Sequence, residues 1–187
     1  PDSTSIDYIL QDQFFRYLAF RVDDANFDWS TFNFDTDPPR TRFMANILNA
    51  TDTDLSGFRH SGGKLLLYHG WSDPIIAATR TIDYYKDVQR ELGRKKTRQF
   101  ARLFMAPGMA HCGAGTGPGY FDYFTALEEW VEQGIAPDSI LAWHYGDDGI
   151  DRTRPLCAYP QVARYTGSGS IDDAANFQCV EPESDPD

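Results

Sequence analysis

The alternation of short apolar runs with amphipathic segments in the middle of the chain constrains its fold more than any other feature. Residues 64–69 (KLLLYH) form an apolar run between glycines, which predicts a strand buried on both faces. Residues 77–92 carry apolar side chains at helical spacing and stop at Gly93. A strand at 99–106, a helix at 120–133 and a strand at 139–145 follow in turn. This order predicts an α/β domain in which helices cover a parallel sheet.

The first part of the chain lacks this alternation. Residues 6–21 have apolar side chains at helical spacing, with Ser5 as the predicted N-cap. Residues 22–39 are rich in Asp, Asn and aromatic residues and end in two prolines, which predicts an ordered but irregular segment. We expect a short helix at 41–49 and a polar connection at 52–63.

Two polar loops follow consecutive strands of the predicted sheet. Asp73 lies in GWSDP (residues 70–74), and His111 lies in APGMAHCG (residues 106–113). Because the carboxyl ends of parallel strands share one edge of a sheet, Asp73 could orient an imidazole and His111 could act as a general base. On the residues alone, an aspartate after such a turn more often forms the turn or caps a helix than takes part in catalysis. His111 and Cys112 are adjacent, and adjacent residues seldom bind one metal, so no metal site is expected.

No nucleophile completes this pair. In α/β-hydrolases the order along the chain is nucleophile, acid, histidine, with the serine in a G-x-S-x-G turn. No such turn precedes Asp73, and residues 70–74 have Pro in place of the last Gly. Ser72 cannot serve beside Asp73, since adjacent side chains of an extended segment point apart. The serines at 168 and 170 lack the required strand-to-helix setting. The catalytic set within this chain is therefore incomplete.

The number of cysteines is odd, so one thiol lacks a partner within the chain. Cys157 and Cys179 enclose a Gly- and Ser-rich segment that a disulfide would stabilise, by about 3 kcal/mol for a loop of this size. Asn49 begins an Asn-Ala-Thr glycosylation pattern, although a motif this short often occurs by chance. These features favour an oxidising compartment, either secreted or periplasmic.

Charge and hydropathy exclude several classes of protein. The formal net charge of −11 disfavours binding to nucleic acid, and no apolar run is long enough to span a membrane. One basic cluster stands apart, and we interpret it chiefly as capping the negative end of the helix at 77–92, with an anion-binding patch as the alternative. The cluster comprises Arg90, Arg94, Lys95, Lys96, Arg98 and Arg102.

Several motifs in this order resemble the C-terminal part of the tannase/feruloyl esterase family. They are the glycine pair before residue 64, residues 68–74 (YHGWSDP), residues 106–113, WVEQG at 130–134 with APD at 136–138, and RPLC at 154–157 followed by the later Cys179. The likeness covers about residues 52–180 well and the first fifty residues more loosely. By this resemblance, residues 1–50 are the end of an inserted lid domain, and residues 51–187 are the C-terminal part of an α/β-hydrolase catalytic domain.

The resemblance implies a serine esterase whose triad includes Asp73 as the acid and His111 as the base. In the family, a cysteine beside the nucleophilic serine forms a disulfide with the cysteine beside the histidine, which is Cys112 here. The serine, its cysteine, the oxyanion-hole amides and a structural calcium site in the lid are expected in an N-terminal part of the protein outside this chain. No cofactor is expected for catalysis.

The expected activity is hydrolysis of small aromatic esters, hydroxycinnamoyl or galloyl, with feruloyl esterase favoured. Tannase, terephthalate-monoester hydrolase and a non-catalytic binding module that keeps the fold remain as alternatives. Trp71, Phe121 and Tyr123 are candidates for an aromatic substrate pocket, although aromatic residues in such places more often belong to a core. We interpret His69 as structural and assign no role to His60 and His144.

Overall fold

The structure is a computed structural model that describes residues 5–183 of the chain. It divides into two compact units, residues 1–51 and residues 52–187, which are described one at a time. The assignment of the first unit to the end of a lid stays a prediction.

The first unit is built around a cluster of phenylalanines. Helix α1 spans Ile6–Tyr17, and Ser5 caps it by accepting a hydrogen bond from the Tyr8 N–H. A 3-10 turn at Trp29–Thr31 and helix α2 at Pro38–Leu48 follow. The buried side chains are Phe15, Ala19 and Phe32, with Phe20, Phe27 and Trp29 packed against them. The segment predicted to be irregular is thus ordered by aromatic packing.

The two faces of α1 do not match the sequence prediction. Six of the seven residues that carry the helical apolar spacing are 42% to 54% exposed, whereas Phe15, outside that set, is buried. They are Ile6, Ile9, Leu10, Phe14, Tyr17 and Leu18. The seventh, Phe20, lies beyond α1, which ends at Tyr17 rather than at the predicted residue 21, and it packs against the phenylalanine cluster. The packed face of α1 in this unit is therefore not its predicted apolar face.

Two short helical segments also differ from the prediction. Helix α2 begins at Pro38 rather than at residue 41, because a proline in the first turn of a helix loses no hydrogen bond. In the second unit, residues 52–63 contain helix α3 at Ser56–His60, where a polar connection was expected. Its start is held by the Asp54 carboxylate, which accepts the Ser56 N–H.

The centre of the second unit is a parallel pair of strands joined by a helix. Strand β1 spans Leu65–Gly70 and strand β2 spans Ala101–Ala106, in register from Leu65 opposite Ala101 to Gly70 opposite Ala106. Helix α4 at Ala78–Leu92 and the one-turn helix α5 at Arg94–Thr97 connect them. Gly93, with φ of +86°, ends α4 as predicted.

The face of α4 that covers this strand pair is the predicted one. Ile82, Tyr85 and Val88 are buried against Phe100 and Leu103. The sequence therefore predicted both the strand–helix–strand unit and the side chains that hold it together.

The residues after β2 form short extended segments and one helix. Strand β3 (Met109–Ala110) pairs antiparallel with β4 (Gly113–Gly115), and β5 (Tyr120–Phe121) follows. Helix α6 spans Tyr123–Gln133 and starts later than the predicted residue 120. The reason is local, since the Asp122 carboxylate accepts the Thr125 N–H and caps the helix there.

The third predicted strand does not extend a parallel sheet. Strand β6 (Ser139–Gly146) pairs antiparallel with β7 (Gly149–Cys157) and with β5. A tight turn joins β6 to β7, and strands connected in this way can only pair antiparallel. Just after β7, Ala158 pairs with Phe104, and the Tyr159 N–H donates to the Leu103 carbonyl oxygen at 2.8 Å. The hairpin thereby reaches the free edge of β2.

A disulfide holds the last segment of the chain. Strands β8 (Val162–Tyr165) and β9 (Phe177–Val180) pair antiparallel, with a 3-10 turn at Ala174–Asn176 between them. Cys157 at the end of β7 is bonded to Cys179 in β9. None of the described helices is long and apolar enough to cross a membrane.

Replacing both Cys157 and Cys179 with Ala is expected to lower the free energy of unfolding by about 3 kcal/mol, because the unfolded chain is then no longer closed into a loop. Urea unfolding of this chain measures the difference. Cys112→Ser, which removes an exposed free thiol, is the matched control and should leave the value unchanged. Equal stability of the double variant and the parent would contradict the expectation.

Candidate active site

The two predicted polar loops leave the sheet at the same edge. Asp73 follows the end of β1 and His111 follows the end of β2, and the two strands are parallel neighbours. Functional groups in such sheets gather at the carboxyl ends of the strands. The strand pair therefore positions the Asp73 and His111 side chains at the same edge of the sheet.

The backbones of the two loops are in direct contact. The Trp71 N–H donates to the Ala106 carbonyl oxygen, and the Ser72 N–H donates to the Met109 carbonyl oxygen, both at 3.0 Å. A Cβ at Gly70 would collide with the Met109 oxygen and lie 2.7 Å from the Ala110 oxygen. Only glycine at position 70 allows so close an approach.

His111 and Asp73 form a hydrogen bond across this contact. Nδ1 of His111 lies 2.8 Å from Oδ2 of Asp73. Since a carboxylate can only accept, Nδ1 carries the proton, and Nε2 of a neutral ring is left as the acceptor. The Asp73 side chain is 5% exposed and that of His111 is 43% exposed. Within residues 5–183, Nε2 of His111 forms no hydrogen bond.

The Asp73 carboxylate is also held from its other side. Oδ1 accepts the backbone N–H groups of Ile75 and Ile76 at 2.8 and 2.9 Å. Burial raises the pKa of Asp73, but the hydrogen bonds from Ile76, His111 and Ile75 outweigh it and hold that pKa well below its ordinary value. Asp73 is therefore an anion fixed in place, as the acid of a triad must be.

The loop that carries His111 has an unusual backbone. Cys112 and Ala114 have φ of +60° and +53°, a conformation that costs an ordinary residue about 1–2 kcal/mol. Such residues cluster at functional sites, where the surrounding structure imposes them. Cys112 is exposed beside His111.

A model of the family described as "Tannase and feruloyl esterase" matches residues 4–180. The chain belongs to the tannase and feruloyl esterase family. The mono(2-hydroxyethyl) terephthalate hydrolase of Piscinibacter sakaiensis is 47% identical over 81% of this chain and 26% of its own length. An uncharacterized esterase of Xanthomonas campestris is 40% identical over 92% of this chain and 37% of its own length.

Among solved structures, feruloyl esterase B from Aspergillus oryzae superposes with a TM-score of 0.79. It is 30% identical, and the match covers 90% of this chain and 37% of that protein. The predicted α/β-hydrolase-type fold is thereby confirmed. The chain spans only about a quarter to two fifths of the length of these family members.

The candidate substrate residues of this family member fall in two places. Phe121 and Tyr123 pack on Tyr68, with ring centroids 5.1 and 5.3 Å away. Tyr68, Asp73 and His111 line one cavity of about 230 Å³. Trp71 instead lines a larger, mainly apolar cavity of about 650 Å³ that contains neither Asp73 nor His111. The smaller cavity holds the hydrogen-bonded pair, and Phe121 and Tyr123 lie behind its Tyr68 wall without lining it.

Sequence reasoning missed one residue of the site. His69, interpreted as structural, has its Nε2 3.1 Å from Oδ2 of Asp73. Its position, four residues before an acid at the end of a strand, was the only available signal. The other two histidines without a role, His60 and His144, contact Arg59 and Asp151.

The remaining predicted features lie apart from this site. Arg102 is not part of the exposed basic cluster, since it is buried over the Trp130 ring and lies 3.6 Å from Asp138. Asn49 is exposed after α2, which leaves its glycosylation an open prediction. Among residues 5–183, no three His, Cys, Asp or Glu side chains group as metal ligands would.

Gly70→Ala is expected to force the two loops apart and to lower the free energy of unfolding by about 1–3 kcal/mol, the usual cost of overpacking. Gly57→Ala is the matched control, because nothing lies within 4 Å of a Cβ there. Chemical denaturation measures both variants, and the His111 ring resonances report whether the contact with Asp73 survives. A Gly70→Ala protein as stable as the control, with unchanged His111 resonances, would contradict the close approach.

Proposed function

We propose that this chain is the C-terminal part of a serine carboxylesterase and supplies the acid and the base of its triad. The observation that carries the proposal is the 2.8 Å hydrogen bond between His111 and Asp73 at the carboxyl ends of two parallel strands. Membership of a family whose named relatives include esterases supports it.

In the proposed reaction, Nε2 of His111 takes the proton of a serine hydroxyl as the serine oxygen attacks the ester carbonyl carbon. The imidazolium then returns this proton to the departing alcohol oxygen, which leaves an acyl-serine. Water attacks the acyl carbon by the same route, its proton passing through His111, and the aromatic acid and the free serine are released. Asp73 stays ionised throughout, holding the Nδ1–H tautomer and stabilising the imidazolium.

The nucleophilic serine is proposed to come from an N-terminal part of the same protein. Two observations support this: the chain spans 26% to 37% of the length of its relatives, and no hydroxyl within residues 5–183 bonds Nε2 of His111. We also propose that Cys112 forms a disulfide with a cysteine beside that serine, which would fix the serine against His111. The calcium implied by the resemblance is assigned to the lid outside this chain, so no residue here is proposed as its ligand.

An oxidising compartment, secreted or periplasmic, is part of the proposal. The bond between Cys157 and Cys179 supports it, because such bonds persist chiefly in oxidising surroundings.

The proposed substrates are small aromatic esters, with feruloyl esters first. Names of relatives support this class, since a probable feruloyl esterase B-1 of Aspergillus terreus is 32% identical over 90% of this chain. A terephthalate monoester is the second candidate, favoured by the 47% identity to the Piscinibacter sakaiensis hydrolase. A galloyl ester is the third.

In the complete protein, His111→Ala and Asp73→Ala are each expected to lower kcat by about 10⁴-fold or more, because a triad acts as a unit. Hydrolysis of methyl ferulate, methyl gallate and mono(2-hydroxyethyl) terephthalate measures the loss and ranks the substrates. His60→Ala, an exposed histidine outside the site, is the control and should keep full activity.

The outcome of this test separates an enzyme from a binding module. An active parent that keeps its kcat in the His111→Ala variant would overturn the proposal. A complete protein that binds these compounds without hydrolysing them would favour the module. This chain on its own is expected to hydrolyse none of them.

A further inference from the structure

The imidazole of His69 makes three polar contacts, all of them local. Nδ1 lies 2.7 Å from the Thr81 hydroxyl, and Nε2 lies 3.1 Å from the Ile76 carbonyl oxygen. The same Nε2 lies 3.1 Å from Oδ2 of Asp73, the oxygen that also bonds His111. The His69 side chain is only 11% exposed. It is thus a nearly buried ring directed at the proposed acid.

These contacts determine where the proton of His69 lies. The Ile76 carbonyl oxygen can only accept, so Nε2 of His69 must carry a hydrogen. If the ring is neutral, Nδ1 accepts from the Thr81 hydroxyl, and if it is charged, Nδ1 donates to that hydroxyl oxygen. Nε2 is a donor in both states. The edge of the ring that faces Asp73 is therefore always electropositive.

His69 also determines the shape of the turn that carries Asp73. The N–H groups of Ile75 and Ile76 bond Oδ1 of Asp73, and the Ile76 carbonyl bonds His69. The turn is thereby held at one point by its own carboxylate and at another by a side chain of β1. Thr81, in the first turns of α4, holds the ring from the other side. Strand, turn and helix meet at this imidazole.

We propose that His69 is a positioning residue of the esterase site, acting through Asp73. It holds the turn at residues 73–76 through the hydrogen bond from Nε2 to the Ile76 carbonyl oxygen, and it places the same electropositive ring edge 3.1 Å from Oδ2, so that the carboxylate stays where Nδ1 of His111 can reach it. Thr81 orients His69. This inference rests on the proposed function, and it extends the acid–base pair to a network of four side chains: Thr81, His69, Asp73 and His111.

The test compares two replacements of His69 in the complete protein. His69→Leu removes every polar contact, whereas His69→Gln can place an amide N–H close to the position of Nε2. We expect His69→Leu to lower kcat by about 10- to 100-fold, the upper figure being the cost of about a 1 Å misplacement, with KM changed by less than about twofold. His69→Gln should recover most of the loss. His60→Leu is the matched control.

A second variant and a spectroscopic measurement keep the test decisive if His69→Leu does not fold. Thr81→Val removes only the hydroxyl that orients the ring, and it should lower kcat in the same direction, with Thr81→Ser restoring it. In the parent, ¹⁵N resonances should show Nε2 of His69 protonated. In a folded His69→Leu or Thr81→Val protein, the Nδ1–H resonance of His111 should shift or broaden, because its acceptor is then held only from the Oδ1 side.

Three results would overturn the inference. They are a folded His69→Leu protein with the parent kcat, a folded His69→Gln protein as impaired as His69→Leu, and a His69 Nε2 that carries no proton. These are separable from failure of the proposed function. That failure is retained activity in the Asp73→Ala and His111→Ala variants, whereas the inference alone fails if those are inactive and His69→Leu is not.

Discussion

The close approach of two parallel strand ends is the constraint on which the rest of the site depends. At Gly70 the chain leaves β1 so near the Met109 carbonyl that no side chain fits between them. This contact brings the turn of Asp73 and the loop of His111 within hydrogen-bonding distance, at 2.8 Å. The core of Ile82, Tyr85 and Val88 against β2 stabilises the strand pair from behind. The packed core therefore fixes the two strand ends, and with them the orientation of the His111 ring.

Much of this arrangement could be predicted from the sequence, because it depends on local patterns. The apolar run of β1, the helical face of α4 and the stop at Gly93 each reflect a periodicity or a backbone preference within a few residues. Asp73 and His111 could be predicted as site residues for the same reason, since both follow recognisable strands. Their nearness then required only that the strands be parallel neighbours.

Features that depend on distant contacts were not predictable in this way. The antiparallel pairing of β6 follows from a turn whose consequence is visible only once β7 is known. Phe15 is buried in place of the regular apolar face of α1, because other phenylalanines surround it. The contact of His69 with Asp73 needs the turn at residues 73–76 to fold back onto β1. Each depends on geometry that no single segment encodes.

In the proposed site, His111 takes its proton from a serine and Cys112 forms a disulfide with a cysteine, and both partners lie in one upstream segment of the protein. The most direct test is to label the complete protein with a fluorophosphonate, digest it without reduction, and identify the labelled peptide by mass. The account predicts a labelled serine outside these 187 residues, on a peptide joined by a disulfide to the one that contains Cys112. A labelled serine within this chain, or a Cys112 peptide recovered as a free thiol, would contradict it.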